Sequence, residues 1–367
     1  MRVSNKFCTF VANLDKFVKM KRKIAIIAGG DSSEYGVSLR SAAGIESFLN
    51  HEQYDTTIVL LRGNDWKAKV DEDEWVAIDK NDFSFTHNGQ KNTFDFAYIT
   101  IHGTPGENGL LQGYFDMIGM PYSCCGVLAA AVTFNKYTCN HYLKGFGIQV
   151  AESLLLRKSN YQSFANCQSF ANCQSPIANR QSPISNILEK VGLPCFIKTN
   201  VGGSSFGVTK VKTAEEVAPA IERAFAEGDE VICEAFMQGV EITCGAYKTK
   251  DKAVAFPITE VVTSNEFFDY DAKYNGQVDE ITPARIPDKV RDEVQALTLK
   301  IYDILGCKGI IRIDYILTEG WKINLLEVNT TPGMTATSFI PQQVRAAGLN
   351  IGEVLSEIIE EEVRCRV

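Results

Sequence analysis

The sequence contains no apolar run long enough to cross a lipid bilayer, so we expect no membrane-spanning helix and no membrane partner. It also lacks an excess of positive charge. The net charge is -8, which argues against binding to nucleic acid or to an acidic membrane surface. The 11 cysteines include no C-x-x-C pair, which argues against a zinc site and a disulfide framework. Cysteines of this kind are typical of reduced thiols, and we expect a cytoplasmic protein.

The composition is that of an ordinary globular protein, with 45% hydrophobic residues in a chain of 367. This length and composition predict two or three domains. Residues 1–20 precede the apolar segment KIAIIA and contain no signal-peptide cleavage site. We therefore predict that residues 1–20 form a disordered extension.

The most informative stretch is GIIRIDYILTEGWKINLLEVNTTPGMTATS, at residues 309–338. It predicts two strands joined by a short turn. Alternation places Arg312 and Asp314 on one face of the first strand, and Glu327 and Asn329 on one face of the second strand. Hard divalent cations prefer oxygen ligands, and Mg²⁺ commonly takes one or two carboxylates plus substrate phosphates. Because the strands are otherwise apolar and buried charges need partners, the pattern favours a metal site over a solvated strand face.

A second candidate site lies near the amino terminus. The strand KIAIIA runs into two glycines and a helix predicted over residues 37–49, an arrangement that presents backbone N–H groups to a ligand. Glu34 lies in this turn, where it either stabilises the helix start or receives a ligand ammonium, and the residues alone leave both roles open. His102 follows a strand predicted over residues 94–101, in a glycine-rich loop that favours a functional role.

A third group of residues is typical of a phosphate-binding site. A helix predicted over residues 127–143 carries Lys136, a strand carries Lys198, and the loop GGSSFG follows at residues 202–207. Such a loop can fold its N–H groups over phosphates, and the two lysines supply compensating charge.

The next strand, predicted over residues 230–236, ends in a segment suited to a nucleotide. Its sequence EAFMQGVE can offer backbone groups to adenine and a carboxylate to ribose, although Glu241 also fits an ordinary surface position. The repeat of SFANCQ predicts a solvent loop at residues 163–185. The long irregular segment at residues 263–285 is typical of a lid.

In this order the motifs resemble those of the D-alanine:D-alanine ligase family, within the ATP-grasp superfamily. The segments that carry the resemblance are GGDSSEYGVSLRS, HGTPGENGLLQG, GGSSFGV, DAKY, RIDY and LLEVNTTPGMTATS. Six motifs in one order are a specific signal. The resemblance implies a mixed α/β and α+β ATP-grasp fold. It comprises an N-terminal open α/β (Rossmann-like) domain at residues 21–124, a central lid domain at 125–235 and a C-terminal, mainly antiparallel sheet domain at 236–367.

The resemblance also implies the activity, which is the ATP-dependent joining of two D-alanine molecules through an acyl phosphate for peptidoglycan precursor synthesis. It implies two Mg²⁺ or Mn²⁺ ions and a homodimer, and it leaves open a role for K⁺. The alternatives are another ATP-grasp carboxylate–amine ligase, a D-alanyl-D-lactate or D-serine ligase, and a non-catalytic ATP-binding relative. Tyr274, at the lid position, favours an amine nucleophile over a hydroxyl.

Finally, the resemblance implies a role for each candidate residue. The catalytic residues would be Glu34, His102, Ser204, Tyr274, Arg312 and Gly333. The substrate-binding residues would be Glu34, His102, Arg312, Gly333 and Ser338. The ATP-binding residues would be Lys136, Lys198, Ser204, Ser205, Glu234, Ala235, Phe236, Met237, Glu241, Lys273 and Asn329, and the metal ligands Asp314, Glu327 and Asn329.

Overall fold

The computed structural model describes residues 21–161, 183–202, 208–263 and 278–365. The predicted extension at residues 1–20 and nearly all of the SFANCQ repeat lie outside these ranges. Within the part of the chain that is described, no helix is both long and apolar enough to span a membrane.

The strands, labelled in chain order, form three larger sheets and a small hairpin. They are β1 (Arg22–Gly29), β2 (Tyr54–Arg62), β3 (Asp65–Lys69), β4 (Trp75–Ala77), β5 (Phe85–His87), β6 (Gln90–Asn92), β7 (Phe96–Ile99), β8 (Ser153–Arg157), β9 (Cys195–Thr199), β10 (Thr209–Val211), β11 (Glu230–Ala235), β12 (Val240–Lys248), β13 (Ala253–Ala255), β14 (Thr259–Thr263), β15 (Val278–Ile281), β16 (Ile311–Thr318) and β17 (Lys322–Asn329).

The helices named below cover the faces of these sheets. They are α1 (Tyr35–Phe48), α2 (Leu110–Ile118), α3 (Val127–Phe134), α4 (Lys136–Lys144), α5 (Pro183–Lys190), α6 (Ala214–Glu227), α7 (Asp288–Leu305), α8 (Phe339–Ala346) and α9 (Ile351–Arg364).

The first sheet has the strand order β4-β3-β2-β1-β7, and β1 pairs in parallel with both β2 and β7. Residues 24–29 of β1 are buried without interruption, as expected for a central parallel strand covered on both faces. The carboxyl ends of β1 and β7 meet at one edge of the sheet. The turn that carries Glu34 and the loop that carries His102 therefore begin side by side.

The other two sheets are antiparallel. The second has the order β10-β9-β11-β8, and the third has the order β15-β14-β12-β16-β17, with β13 paired to β12. The predicted mixture of an open α/β sheet and antiparallel sheets is confirmed. Each sheet falls inside one of the three predicted domain ranges, while the domain boundaries themselves stay a prediction.

An apolar cluster joins the first and third sheets. Ile26 and Phe96 of the first sheet share it with Tyr247 of β12, and α8 and α9 contribute Ile340 and Leu355. All five side chains are at most 1% exposed. This shared core holds the loops at the edge of the first sheet against the end of the third.

The prediction of a single helix over residues 127–143 is wrong, because the helix is interrupted at Asn135, between α3 and α4. Asn135 adopts an extended conformation, and its side chain accepts a hydrogen bond from the Thr138 N–H, which is how an N-cap restarts a helix. The break makes Lys136 the first residue of α4 and brings its backbone N–H to Asn200 O at 3.2 Å.

Other predicted boundaries also need correction. The loop predicted at residues 163–185 ends earlier, because α5 begins at Pro183. Strand β15 lies within the segment predicted as an irregular lid, where it pairs with β14. The sequence patterns did not predict α2 or α8, because both are short and follow glycine-containing loops.

We predict that replacing Gly309 by alanine destabilises the protein more than the same change at Gly306. Both glycines have left-handed φ values, +63° and +62°, which cost a non-glycine residue about 1–2 kcal/mol. At Gly309 a Cβ would also lie 1.9 Å from Ser123 O, whereas at Gly306 it would meet open space. The forced backbone shift adds roughly 1–3 kcal/mol. Equal urea midpoints for the two variants would contradict this account.

Candidate active site

A cavity of about 1110 Å³ opens where the three sheets meet. Every predicted site residue that the structure describes lines it. These residues are Glu34, His102, Lys136, Lys198, Glu234, Ala235, Phe236, Met237, Glu241, Arg312, Asp314, Glu327, Asn329, Gly333 and Ser338. The predicted residues Ser204, Ser205, Lys273 and Tyr274 lie outside the described residues.

The floor of the cavity is the antiparallel pair β16–β17. Arg312 lies opposite Asn329 and Asp314 opposite Glu327, so the four polar side chains share one face of the sheet, as the alternation predicts. The Arg312 guanidinium donates to both Asp314 oxygens, at 2.9 and 2.8 Å. Asn329 Nδ2 donates to Asp314 Oδ2 at 3.1 Å. Burial would lower the pKa of Arg312, but the charges of Asp314 and Glu327 raise it, so the guanidinium stays charged.

The oxygen atoms on this floor fit a hard divalent cation. Among the described residues, no group of three or more His, Cys, Asp or Glu side chains is placed to hold a metal ion by itself. Asp314 and Glu327 supply two carboxylates and Asn329 an amide oxygen, and Mg²⁺ commonly completes such a set with phosphate oxygens and water. A carboxylate oxygen that accepts from arginine keeps a second lone pair for a metal. Asp314 therefore suits both roles.

Two partly buried lysines of the predicted phosphate site face this floor. Lys198 Nζ lies 2.5 Å from Glu234 Oε2, and Asn140 Nδ2 donates to Glu234 Oε1 at 3.2 Å. Burial opposes the charged form of Lys198, but the Glu234 carboxylate more than compensates and its pKa is raised. Lys136 Nζ donates to Gly202 O at 2.6 Å, and burial lowers its pKa.

The end of β11 forms the wall predicted to contact adenine. The Phe236 N–H donates to Pro194 O at 3.1 Å, which fixes the strand end. Lys210 Nζ lies 3.9 Å from the centre of the Phe236 ring. Glu234, 4% exposed, is held by Lys198 and Asn140, so its carboxylate positions the lysine. Glu241 is less buried than Glu234, and its contact with ribose stays a prediction.

At the opposite end, the turn after β1 and the loop after β7 are joined by a serine. Ser32 Oγ donates to His102 O at 2.7 Å and accepts from the Glu34 N–H at 3.2 Å. Glu34 is the residue that precedes α1, and its side chain makes no capping hydrogen bond to that helix. Glu34 also lines the cavity, and its role as the acceptor of a ligand ammonium stays a prediction.

The loop after β17 closes this end of the cavity. A Cβ placed on Gly333 would lie 3.0 Å from Ser338 Oγ. Ser338 precedes α8, and its hydroxyl lies 2.8 Å from Thr335 Oγ1. A serine at the N-terminus of a helix is well suited to bind an anion.

The sequence reasoning missed five charged residues that line the cavity, Arg40, Glu107, Lys210, Glu260 and Glu280. Glu107 Oε2 accepts the Gly103 N–H at 2.7 Å. Burial raises the Glu107 pKa to about 8, and the charges of Glu34 and Glu327 act in the same direction. Its position in the HGTPGENG loop, five residues after His102, was the available signal. Lys210 was missed because β10 is only three residues long and shows no pattern.

Comparison with known proteins identifies the family. A family model described as the D-ala D-ala ligase N-terminus matches residues 23–125, and one described as the D-ala D-ala ligase C-terminus matches residues 144–360. A relative from Phocaeicola vulgatus, a D-alanine–D-alanine ligase, is 63% identical over 94% of this chain and 100% of its own length.

Solved structures show the same architecture. The D-alanyl-alanine synthetase A of Vibrio cholerae is 27% identical, with a TM-score of 0.79 over 94% of this chain and 99% of its own. The D-alanine–D-alanine ligase of Bacillus anthracis, complexed with ATP, is 26% identical, with a TM-score of 0.69 over 94% of this chain and 98% of its own. The predicted ATP-grasp fold is confirmed, and this chain belongs to the D-alanine–D-alanine ligase family.

Proposed function

We propose that the protein joins two D-alanine molecules, with ATP, into the dipeptide used for peptidoglycan precursors. The observation that carries the proposal is that two lysines, Lys136 and Lys198, an Asp–Glu–Asn face and the Glu34–His102 loops line one cavity. The family membership supports it. The eight cysteines among the described residues are all free thiols, which supports the cytoplasm as its location.

The second and third sheets bind ATP in this proposal. Lys136 and Lys198 contact the phosphates, and Phe236 and Met237 contact adenine. Asp314, Glu327 and Asn329 hold Mg²⁺ or Mn²⁺, and such ions neutralise the charge of transferring phosphates. Lys273, in the lid segment, adds a further contact to the phosphates.

The first sheet and the β17–α8 loop bind the two amino acids. Glu34 receives the ammonium of the first D-alanine, whose carboxylate attacks the γ-phosphate and gives an acyl phosphate and ADP. The amine of the second D-alanine, held through its carboxylate by Ser338, then attacks the acyl carbon. Arg312 and the Gly333 N–H stabilise the oxyanion that develops, and phosphate leaves.

The lid segment excludes water from the acyl phosphate. Glu34, Ser204 and Tyr274 would be linked by hydrogen bonds when the lid closes, which joins the lid to the substrate loops. Exclusion of water matters because an acyl phosphate hydrolyses readily. In this proposal His102, which lines the same cavity as Glu34, contacts the first substrate.

We further propose that the protein is a homodimer. Helices α2 and α3 expose Leu110, Met117 and Leu128, whose side chains are 63%, 84% and 77% accessible. Together these two helices contain one charged residue, Asp116, in 17 positions. Exposed apolar patches of this kind mark interaction surfaces, and a self-complementary apolar face suits a two-fold interface.

Purified protein should release phosphate from ATP only when D-alanine and Mg²⁺ are both present, with D-alanyl-D-alanine as the product detected by mass. L-alanine should not replace D-alanine, and D-lactate or D-serine should not replace it at the second site. A chelator should abolish release, and Mn²⁺ should restore it. Release with another acid, but not with D-alanine, would sink the proposed activity.

Arg312→Ala should lower kcat by about 10²-fold or more, because it removes a donor to the developing oxyanion. The dissociation constant for ATP should change far less, since Lys136 and Lys198 remain. Arg291→Ala, on the exposed face of α7, is the matched control and should behave as the wild type. A kcat close to that of the wild type in Arg312→Ala would refute the catalytic role.

Light scattering should give a mass twice the 40.6 kDa of one chain. Met117→Asp should shift the protein towards the monomer, because it places a charge in the apolar interface. Trp321→Asp replaces another exposed apolar residue, in the β16–β17 turn, and should leave the dimer intact. A wild-type monomer at micromolar concentration would exclude the homodimer.

A further inference from the structure

Ser41, in α1, contacts both halves of the amino-acid end of the cavity. Its side chain is fully buried. Ser41 Oγ accepts the Met334 N–H at 3.3 Å and lies 3.4 Å from His102 Nε2. Met334 directly follows Gly333 in the loop after β17, whereas His102 follows β7. One hydroxyl group therefore joins an imidazole of the first sheet to the backbone beside the proposed oxyanion donor.

The helix that carries Ser41 is held closely against the same loop. Gly44 lies one turn further along α1, and a Cβ at this position would be 2.2 Å from Met334 O. One face of α1 therefore lies against both the N–H and the C=O of Met334. Because the Met334 N–H belongs to the peptide unit that starts at Gly333, its direction constrains the backbone of Gly333.

The direction of the hydrogen bond between Ser41 and Met334 follows from its chemistry. A backbone N–H can only donate, so the Ser41 oxygen is the acceptor from Met334. The Ser41 oxygen has a second lone pair, so its contact with His102 Nε2 fits either direction. We infer the arrangement in which the hydroxyl proton is donated to His102 Nε2, because donors that follow one another in this way strengthen each other. His102 Nε2 is the acceptor in this arrangement, which places the imidazole proton on Nδ1.

We propose that Ser41 is a positioning residue, which rests on the proposed ligase function. It holds the His102 imidazole in the Nδ1-protonated form and in fixed relation to the Gly333–Met334 backbone. The His102 imidazole, beside the first D-alanine, and the Gly333 N–H, which donates to the oxyanion, therefore keep the same relative position through the two chemical steps. Ser41 touches neither substrate, and it acts only through His102 and Met334.

Ser38 provides a matched control in the same helix. It lies one turn before Ser41 and is equally buried, but its hydroxyl accepts the Gly29 N–H at 2.9 Å. Ser38→Ala removes a buried helix hydroxyl of the same kind without touching His102 or Met334. Ser41→Cys keeps nearly the volume of serine but is a weak donor, so it separates packing from hydrogen bonding.

The first measurement is the imidazole ¹H–¹⁵N spectrum of the wild type, in which the chain contributes four histidines. The His102 signals are identified by their loss in His102→Gln. We expect the Nδ1-protonated form in the wild type and in Ser38→Ala, and altered His102 signals in Ser41→Ala and Ser41→Cys. An Nε2-protonated imidazole in the wild type would overturn the proposal without any variant.

The second measurement is D-alanine-dependent phosphate release. Ser41→Ala and Ser41→Cys should lower kcat about tenfold, which is what the loss of one hydrogen bond is worth, and should leave KM for ATP unchanged. Ser38→Ala should keep a kcat close to the wild type. Equal losses in Ser38→Ala and Ser41→Ala, or no loss in either Ser41 variant, would overturn the positioning role.

The two measurements separate this inference from the proposed function. Absence of D-alanine-dependent release by the wild type would reject the ligase activity, and the spectra would still decide whether Ser41 sets the His102 tautomer. Normal release by the wild type with unchanged His102 signals in both Ser41 variants would reject the inference alone.

Discussion

The ion pair between Arg312 and Asp314 is the interaction on which the site depends. Both side chains are nearly buried, at 12% and 9% exposure, so neither charge is stable there without the other. Removal of one partner from a buried pair leaves an uncompensated charge and commonly costs about 3–5 kcal/mol. The register of β16 and β17 places Glu327 and Asn329 beside the pair. The sheet that forms the core thereby also creates the polar floor.

The two lysines of the cavity are also compensated by a negative charge or a polar atom close to each ammonium. Glu234 keeps Lys198 charged in a buried position, and Gly202 O receives the Lys136 ammonium. Burial lowers the pKa of Lys136, and a polyanionic ligand would oppose that shift by adding negative charge beside it. The positive charges are therefore held in place before a nucleotide arrives, which reduces the reorganisation that binding requires.

Regular patterns were predictable because each depends on neighbours along the chain. The buried run of β1 and the alternation in β16 and β17 follow from local period and composition. The break at Asn135 was missed because the segments on both sides of it are helical, and only the capping contact to Thr138 reveals it. Glu107 was missed because the charges that act on it, those of Glu34, Glu327 and Lys136, come from segments distant in sequence.

The sequence by itself determined the chemistry available to this protein: an Arg-x-Asp strand, a Glu-x-Asn strand, lysines beside a glycine loop, and a glutamate and a histidine after buried strands. The motif order was sufficient to indicate the family. Only the tertiary structure decided that these groups share one cavity, that Glu234 forms an ion pair with Lys198, and that Ser41 lies between His102 and Met334. The physical reason is that local patterns fix which face a side chain takes, whereas the distance between two faces is set by how sheets and helices pack in the shared core.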